Sequence, residues 1–596
     1  MQRKWINRAE LNKEVMFQIS SENQLSTAFS AIMQKRGYTS AEVNAFLSED
    51  NTLYSALLLP DIEKSTQIVY DAVAEEENIK IGIVNDYDVD GITSGQILFE
   101  ALTCIGANPF IITPDRDLDG YGISYRIIDE ILKKQCKFII TCDNGISAVD
   151  QIDYAKKNGC TVIVTDHHEV QYTEDENGRL YTYPNADAIV NPKRPDSKYP
   201  MREICGAMVA YKFADHLISK YPINPEKKEY LMDRWTELAG IGTVCDVMPL
   251  VSENRSIVKK TITLLKNSSY IGLRQLIKVQ NIDTEKMSSY SIGYMIGPAL
   301  NACSRMTGSA SLAQELLSEK DHIRAEKLAT EIKKLNDERK TLSLKCEEEA
   351  YSLCANSADH IHILYIPNSS AHIMGIAAGR IKERTGHPCI CLTDTGDGKT
   401  VKGSGRSIDG YDMFDYMQRY KDQYVSFGGH AGAIGITLEH DKLNTITKLL
   451  NQDMYSLDDN IYILKNYIDL YIPMSYITPQ FVSELELIEP VGKGNPPVKL
   501  ATTAYITNLK RIGSGNYLSL TLKENDANAV TAVYFGDAAD FDRYVEMHYG
   551  EDIVKKLYQG ATKIKMRFIY RPSFYEWKGR QIQYIISDYQ TEEENA

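Results

Sequence analysis

Three aspartates at alternate positions, Asp86, Asp88 and Asp90, follow the apolar run Ile81 to Val84 and lead straight into Gly91. Carboxylates crowded at the end of a buried strand repel one another and lose hydration, which is costly unless a cation neutralises them. The stretch therefore reads as a divalent-metal site, while an Asp-rich turn explains it equally well when it is taken alone. Asp143-Asn144-Gly145 and Asp166-His167-His168 each close another apolar run, and Asp246 stands in GTVCDVMPL after a Gly-rich helix end. Singly, these are a good turn sequence, a solvated His pair and a helix cap. Jointly they place carboxylates and imidazoles on one rim, a set of ligands that suits Mn²⁺ or Mg²⁺, with histidine favouring Mn²⁺.

The elements that must position them begin near Lys80. IKIGIV, PFIIT, KFIITC and CTVIVT read as strands, separated by helices from about Thr93 to Ile105, Ser124 to Lys134 and Ser147 to Lys157. This βαβα alternation predicts an α/β fold with a parallel sheet covered on both faces, and such sheets gather ligands at the carboxyl ends of their strands. The residues before it look helical and carry no chemical motif. A charged stretch from about Ala310 to Ala355 reads as a connecting helix with a solvated face, and a second α/β domain opens near Asp359 with IHILYIP. From near Ile461, segments such as YLSLTLKE, AVTAVYFG and TKIKMRFIYRP predict a small β-barrel. The expected division is a helical segment over 1–75, the first α/β domain over 76–308, the connecting helix over 309–357, the second α/β domain over 358–460 and the barrel over 461–590.

At 596 residues the chain exceeds one hydrophobic core, and its 43% hydrophobic and 25% charged residues are those of a soluble globular protein. No apolar window is long enough for a membrane span, and no secretory h-region is visible, so a cytoplasmic protein is expected. The 11 cysteines lack paired zinc-type or disulfide-rich spacing and are read as reduced, mostly buried thiols. A net charge of −15 argues against indiscriminate adhesion to nucleic acid while leaving room for a local basic groove.

DYDVDG, DNGIS, TDHHE and GTVCDVMPL, in this order, resemble the four motifs of the DHH phosphoesterase superfamily. GTVCDVMPL and the later GPALNACSRMTGSASLAQELL resemble the RecJ-type single-strand-specific exonucleases within it. SAHIMGIAAGRIKERTGHPCICL, KGSGRSIDGYDMF and SFGGHAGAIGITL look like a DHH-associated domain, and EPVGKGNP looks like the opening of an oligonucleotide-binding fold. The resemblance implies two ions about 4 Å apart. Asp86 and Asp143 would hold the first, and Asp88, Asp143, His167 and Asp246 the second, with Asp143 bridging and Asp90 supporting. It also implies that His168, Arg305, Arg406 and His430 meet substrate phosphate. Gly403, Gly405, Gly428 and Gly429 would let backbone amides approach an anion. On the barrel, Lys493, Lys510, Arg511 and Tyr517 are the candidates for single-stranded DNA.

The implied activity is hydrolysis of single-stranded DNA from the 5′ end to nucleoside 5′-monophosphates, in repair and recombination. A single-strand-binding protein and a helicase are the implied partners of a monomer. Two other readings compete: a phosphodiesterase for short oligoribonucleotides or cyclic dinucleotides, and a non-catalytic single-strand-binding scaffold. Two departures from the family pattern stand out. Asn85 occupies the neighbourhood where many relatives carry a histidine, and Cys303-Ser304 precede Arg305 where small residues and glycine are usual.

Overall fold

A computed structural model of the chain describes residues 3–48, 53–175, 178–524, 528–576 and 580–592. The chain separates into two compact units, one of residues 49–457 with 490–495, the other of 1–48, 458–489 and 496–596.

The larger unit is built on five parallel strands, β1 (Lys80–Val84), β2 (Asn108–Ile112), β3 (Phe138–Cys142), β4 (Thr161–Thr165) and β5 (Ala188–Val190). Their order is β2-β1-β3-β4-β5. The strands are apolar runs rather than alternating ones because helices cover both faces. Ile81, Ile83, Ile140 and Cys142 pack into one core, and Val84, Ile139, Val162 and Val164 into the other. Since β1 is flanked by β2 on one side and β3 on the other, successive crossovers diverge between β1 and β3. The crevice beyond the carboxyl ends of those two strands is the natural ligand position of such a sheet.

Helix α1 (Val89–Cys104) starts earlier than the expected Thr93, because Asp88 caps it by accepting the N–H groups of Asp90 and Gly91 at 2.9 and 3.2 Å. Asp90 therefore lies in the first helical turn. Helices α2 (Gly206–Ser219) and α3 (Pro225–Cys245) pack on α1, and α4 (Gly297–Thr307) runs past its start. The expected single connecting helix is broken. A short helix, Ser311–Ser318, is followed by a new N-cap at Asp321 and by α5 (His322–Cys354). One face of α5 is not solvated: Ala325, Leu328, Ile332, Cys346 and Ala350 are buried along it.

The second α/β domain of this unit has a mixed five-stranded sheet of β6 (His362–Tyr365), β7 (Cys389–Asp394), β8 (Thr400–Arg406), β9 (Ser426–His430) and β10 (Ala433–Glu439), in the order β9-β10-β8-β7-β6, with α6 (Ala371–Thr385) against β7 and β8. All 11 cysteines are free thiols and nine of them are buried.

In the smaller unit, β11 (Leu500–Ile512), β12 (Tyr517–Lys523), β13 (Val530–Tyr534), β14 (Ile564–Glu576) and β15 (Arg580–Thr591) pair as β11-β12-β13-β15-β14, and β14 returns to β11 to close a barrel. The first 48 residues join this barrel unit instead of preceding the catalytic domain, and they are not wholly helical. A strand, Lys4–Asn7, pairs in parallel with Lys465–Ile468. Asp469, completely buried, receives Arg8 and Arg36 at 2.9 Å each and the Lys499 N–H at 2.9 Å. A buried carboxylate held by two guanidiniums ties chain segments far apart in sequence, and no local pattern announces it. Among the described residues no helix is long and apolar enough to cross a membrane.

Candidate metal centre

The rim beyond β1 and β3 gathers the acidic residues into three groups whose ligand atoms lie within 4.8 Å of one another: Asp86 with Asp88 and Asp143, Asp143 with His167 and His168, and Asp90 with His167 and Asp246. Asp143 joins the first two groups, the position expected of a bridging ligand. Asp88 falls with Asp86 rather than with His167 and Asp246, where it was expected. Asp90 stands there instead, because one helical turn swings it toward α2.

The carboxylate of Asp90 caps α2, accepting the N–H groups of Gly206 and Ala207 at 2.6 and 2.9 Å, and lies 3.7 Å from His167 Nε2. The carboxylate thus stands at a helix N-terminus, where negative charge is favoured, and beside a metal-ligand candidate. The approach demands glycine. A Cβ on Gly242 would come within 2.5 Å of Asp90 Oδ1, and one on Gly206 within 2.6 Å of Asp143 Cβ. Asp143 itself adopts φ 61°, a left-handed conformation that aspartate tolerates better than most non-glycine residues.

Whether a cation fits is decided by the orphaned atoms. Asp86 Oδ1, Asp143 Oδ1, Asp246 Oδ2 and both ring nitrogens of His167 are buried without a hydrogen-bond partner. His167 Nε2 stands 3.0 Å from Asp143 Oδ1 and 3.6 Å from Asp246 Oδ2, so ligand atoms converge without bonding one another. Leaving this many buried polar atoms unpaired would cost a few kcal/mol for each. Carboxylate oxygens with imidazole nitrogen are a donor set for divalent cations, and the centre is one for such ions. Burial, then the neighbouring carboxylates, raises Asp86, Asp143 and Asp246 well above the ordinary carboxylate range. His167 is held down to about 4 by burial and by His168, which keeps its imidazole neutral and ready to ligate.

His168 is the opposite case. Burial works against its proton, but Asp166 accepts Nδ1–H at 2.7 Å and, with Asp246 and Asp86, raises it to about 9. Asp166 is no ligand: its oxygens also accept the N–H groups of Ile146, His167 and His168. Tyr121, which no motif singled out, donates its hydroxyl to Asp143 O at 2.9 Å and approaches the His168 ring within 3.1 Å. Asn85 is fully buried, donates to Gln314 at 3.3 Å and leaves its Oδ1 unpaired.

Beside the metal ligands lies a cluster of arginines. Arg305 donates to His372 O at 2.9 Å, and burial together with Arg116, Arg339 and Arg406 lowers it to about 10. Arg116 stacks over the Tyr87 ring at 3.8 Å, with its Nε buried and unpaired. The sequence pointed to Arg305 and Arg406 but not to Arg116, in a loop of alternating charges, or to Arg339, on the helix read as solvated. Guanidiniums gathered against one another, without direct ion pairs among the described residues, are suited to a polyanion. His430 is lowered by burial and by Arg406, with His168 and Lys193 adding to the effect.

Several expected binding residues have other roles. Gly403 and Gly405 lie within β8, where a Cβ would strike Cys391 O at 1.9 Å and Met413 Sδ at 2.6 Å, so packing of strands and not an anion accounts for them. Gly429 has φ 141° and would strike Ala433 O, while Gly428 has open space. Lys493 belongs to the larger unit, its carbonyl accepting Leu250 N–H at 2.7 Å, and is not on the barrel. On the barrel, Arg511 is paired with Asp542, whereas Lys510 and Tyr517 are exposed, Tyr517 edge-on to Phe535 at 5.5 Å.

Known families match this layout. The DHH family, N-terminal domain, matches residues 80–243, the DHHA1 domain 359–456 and the RecJ OB domain 468–588. The fold and the site thus define a DHH-domain protein. The single-stranded-DNA-specific exonuclease RecJ of Escherichia coli is 34% identical over 410 residues, covering 64% of this chain and 67% of the relative. Its Bacillus subtilis counterpart is 30% identical over 524 residues, 87% of this chain, and the chain spans 64% of that relative's length. The crystal structure of RecJ from Thermus thermophilus in complex with Mn²⁺ superposes with a TM-score of 0.81 at 23% identity, covering 99% of this chain and 80% of that one. The chain belongs to the RecJ family.

Proposed function

We propose that the protein is a metal-dependent exonuclease that hydrolyses single-stranded DNA from the 5′ end, releasing nucleoside 5′-monophosphates, in repair and recombination. The observation that carries this reading is the convergence of orphaned ligand atoms from Asp86, Asp143, His167 and Asp246 beside a half-buried arginine cluster. Substrate and polarity follow from the relatives' names and the family resemblance. The closed barrel of the smaller unit supports a single strand over a dinucleotide as substrate.

Two divalent ions, preferentially Mn²⁺, would be held by Asp86, Asp88 and Asp143 and by Asp143, His167 and Asp246. When bound, they supply an activated water and charge neutralisation at the phosphate. The chain's own groups do the rest. Arg116, Arg305 and Arg406 hold the phosphate and oppose the charge that builds on it. His168, kept protonated by Asp166, donates a hydrogen bond to a phosphate oxygen, and Tyr121 fixes the plane of that imidazole. Asp90 holds α2, and through Gly206 the backbone around Asp143, in place.

The test is degradation of 5′- and 3′-labelled single strands with Mn²⁺, with duplex, RNA and dinucleotide controls. Mononucleotide release from the 5′ end is expected. Turnover of dinucleotides alone, or none with any divalent ion, would overturn the proposal.

A further inference from the structure

The surface beside the metal centre carries an aromatic pair that the chemistry above does not use. A short helical turn, Ser289–Ser291, passes into a π-helical turn, Ile292–Ile296, that continues as α4. Ile292 and Ile296 anchor it in the core, while Tyr290 and Tyr294 are 62% and 69% exposed. Their rings stack on one another, with centroids 4.7 Å apart and planes 20° from parallel. Such π turns are rare and are frequent at functional sites. Single exposed aromatics are ordinary, but two stacked in water leave their outer faces bare for a third flat group.

Position says which group. A Cβ on Gly293 would lie 3.2 Å from Val244 Cγ1, and one on Gly297 2.4 Å from Cys245 Sγ, so this turn packs directly on the two residues before the metal-ligand candidate Asp246. Farther along α4, Asn301 accepts the Val89 N–H at 3.2 Å, beside Asp88. At the other end, Ser289 Oγ donates to Val491 O at 2.8 Å, which sets exposed Lys493 near the same turn.

We infer, on the reading of the metal centre as a single-strand nuclease, that Tyr290 and Tyr294 form a base-stacking platform for the strand near the scissile phosphate, with Lys493 contacting its backbone. Stacking on aromatics beside a cation is how single strands are held without regard to sequence. The platform would therefore bind bases by their faces and show little base preference.

The experiment compares the full-length protein with Tyr290→Ala/Tyr294→Ala and Tyr290→Phe/Tyr294→Phe on single strands, with Mn²⁺. Removing a stacking face typically weakens binding by roughly tenfold or more. The double alanine variant should raise KM by about that factor on intact strands, and the phenylalanine variant should restore it. A strand whose bases near the cut end are replaced by abasic residues should bind wild type and double alanine variant alike. Unchanged KM on long intact strands, or an equal loss on intact and abasic strands, would overturn the platform. Absence of any single-strand hydrolysis by the wild type would instead overturn the reading on which it rests.

Discussion

Asp143→Asn should stabilise the metal-free protein while abolishing its response to metal. The ligand oxygens of Asp86, Asp88 and Asp143 lie within 4.8 Å of one another. At that separation and an effective dielectric of about 20, two full charges repel by about 3.5 kcal/mol. Neutralising Asp143 ends two of the three repulsions, about 7 kcal/mol for full charges at that greatest separation, which protonation already relieves in part. Even a relief of about 2 kcal/mol moves the unfolding midpoint of a large domain by a few degrees. Asparagine suits the test because it tolerates φ 61° and matches the volume that Gly206 leaves open. The sign with pH follows from the raised carboxyls of Asp86, Asp143 and Asp246. Between the ordinary carboxylate pKa and the raised one the folded state binds more protons than the unfolded state, so stability falls as pH rises through that interval. The assay is thermal unfolding in chelator from mildly acid to mildly basic pH, then with Mn²⁺ added. Wild type should lose more stability with rising pH than Asp143→Asn and gain more from Mn²⁺. A variant that unfolds earlier than wild type in chelator at basic pH, or that keeps the full Mn²⁺ gain, would refute the reasoning.

Other perturbations separate the parts of the site. Asp166→Asn removes the carboxylate that raises His168 to about 9, so the alkaline limb of kcat/KM should move down toward the ordinary imidazole value of 6.5. A limb that stays put would show that His168 titration does not govern the rate. Gly206→Ala places a methyl 2.6 Å from Asp143 Cβ and should weaken Mn²⁺ binding, read by calorimetry, at a stability cost of about 1–3 kcal/mol. Arg116→Ala should raise KM for single strands by about tenfold or more while leaving Mn²⁺ affinity largely unchanged, since arginine is no metal ligand and its Nε is unpaired in the free protein.

The sheet, and the gathering of the candidate ligands at its rim, were legible in the sequence because each rests on local pattern. Strands β1 to β4 are short runs of β-branched residues, and each candidate ligand follows the end of one strand or helix. The assignment of Asp88 and Asp90 was not legible, because it turns on where α1 begins. Capping by Asp88 starts the helix four residues before Thr93, and that turn carries Asp90 across to α2. The arginines divide in the same way. Arg305 and Arg406 sit in motifs, whereas Arg116 and Arg339 are marked only by burial beside like charges, a property of tertiary packing. Asp469, which draws Arg8 and Arg36 to the barrel unit, lies more than 400 residues from both, at separations of 461 and 433, and no window of sequence could pair them.

Tertiary packing also sets the role of the glycines, both those of β8 that misled and those around the aspartates that did not stand out. Glycine in a Ser-Gly-Arg segment invites an anion-cradle reading, yet Gly403 and Gly405 yield space to Cys391 and Met413, and the adjacent Arg406 is itself packed against Gly375, where a Cβ would meet Nη2 at 2.7 Å. The glycines that serve the chemistry are Gly206 and Gly242, placed where helices approach Asp143 and Asp90 too closely for any side chain. They act by letting charged groups converge, which leaves orphaned oxygens suited to a divalent cation. The centre is therefore defined as much by the space withheld from side chains as by the ligands themselves, and a variant that restores a methyl there tests the metal site without touching a ligand.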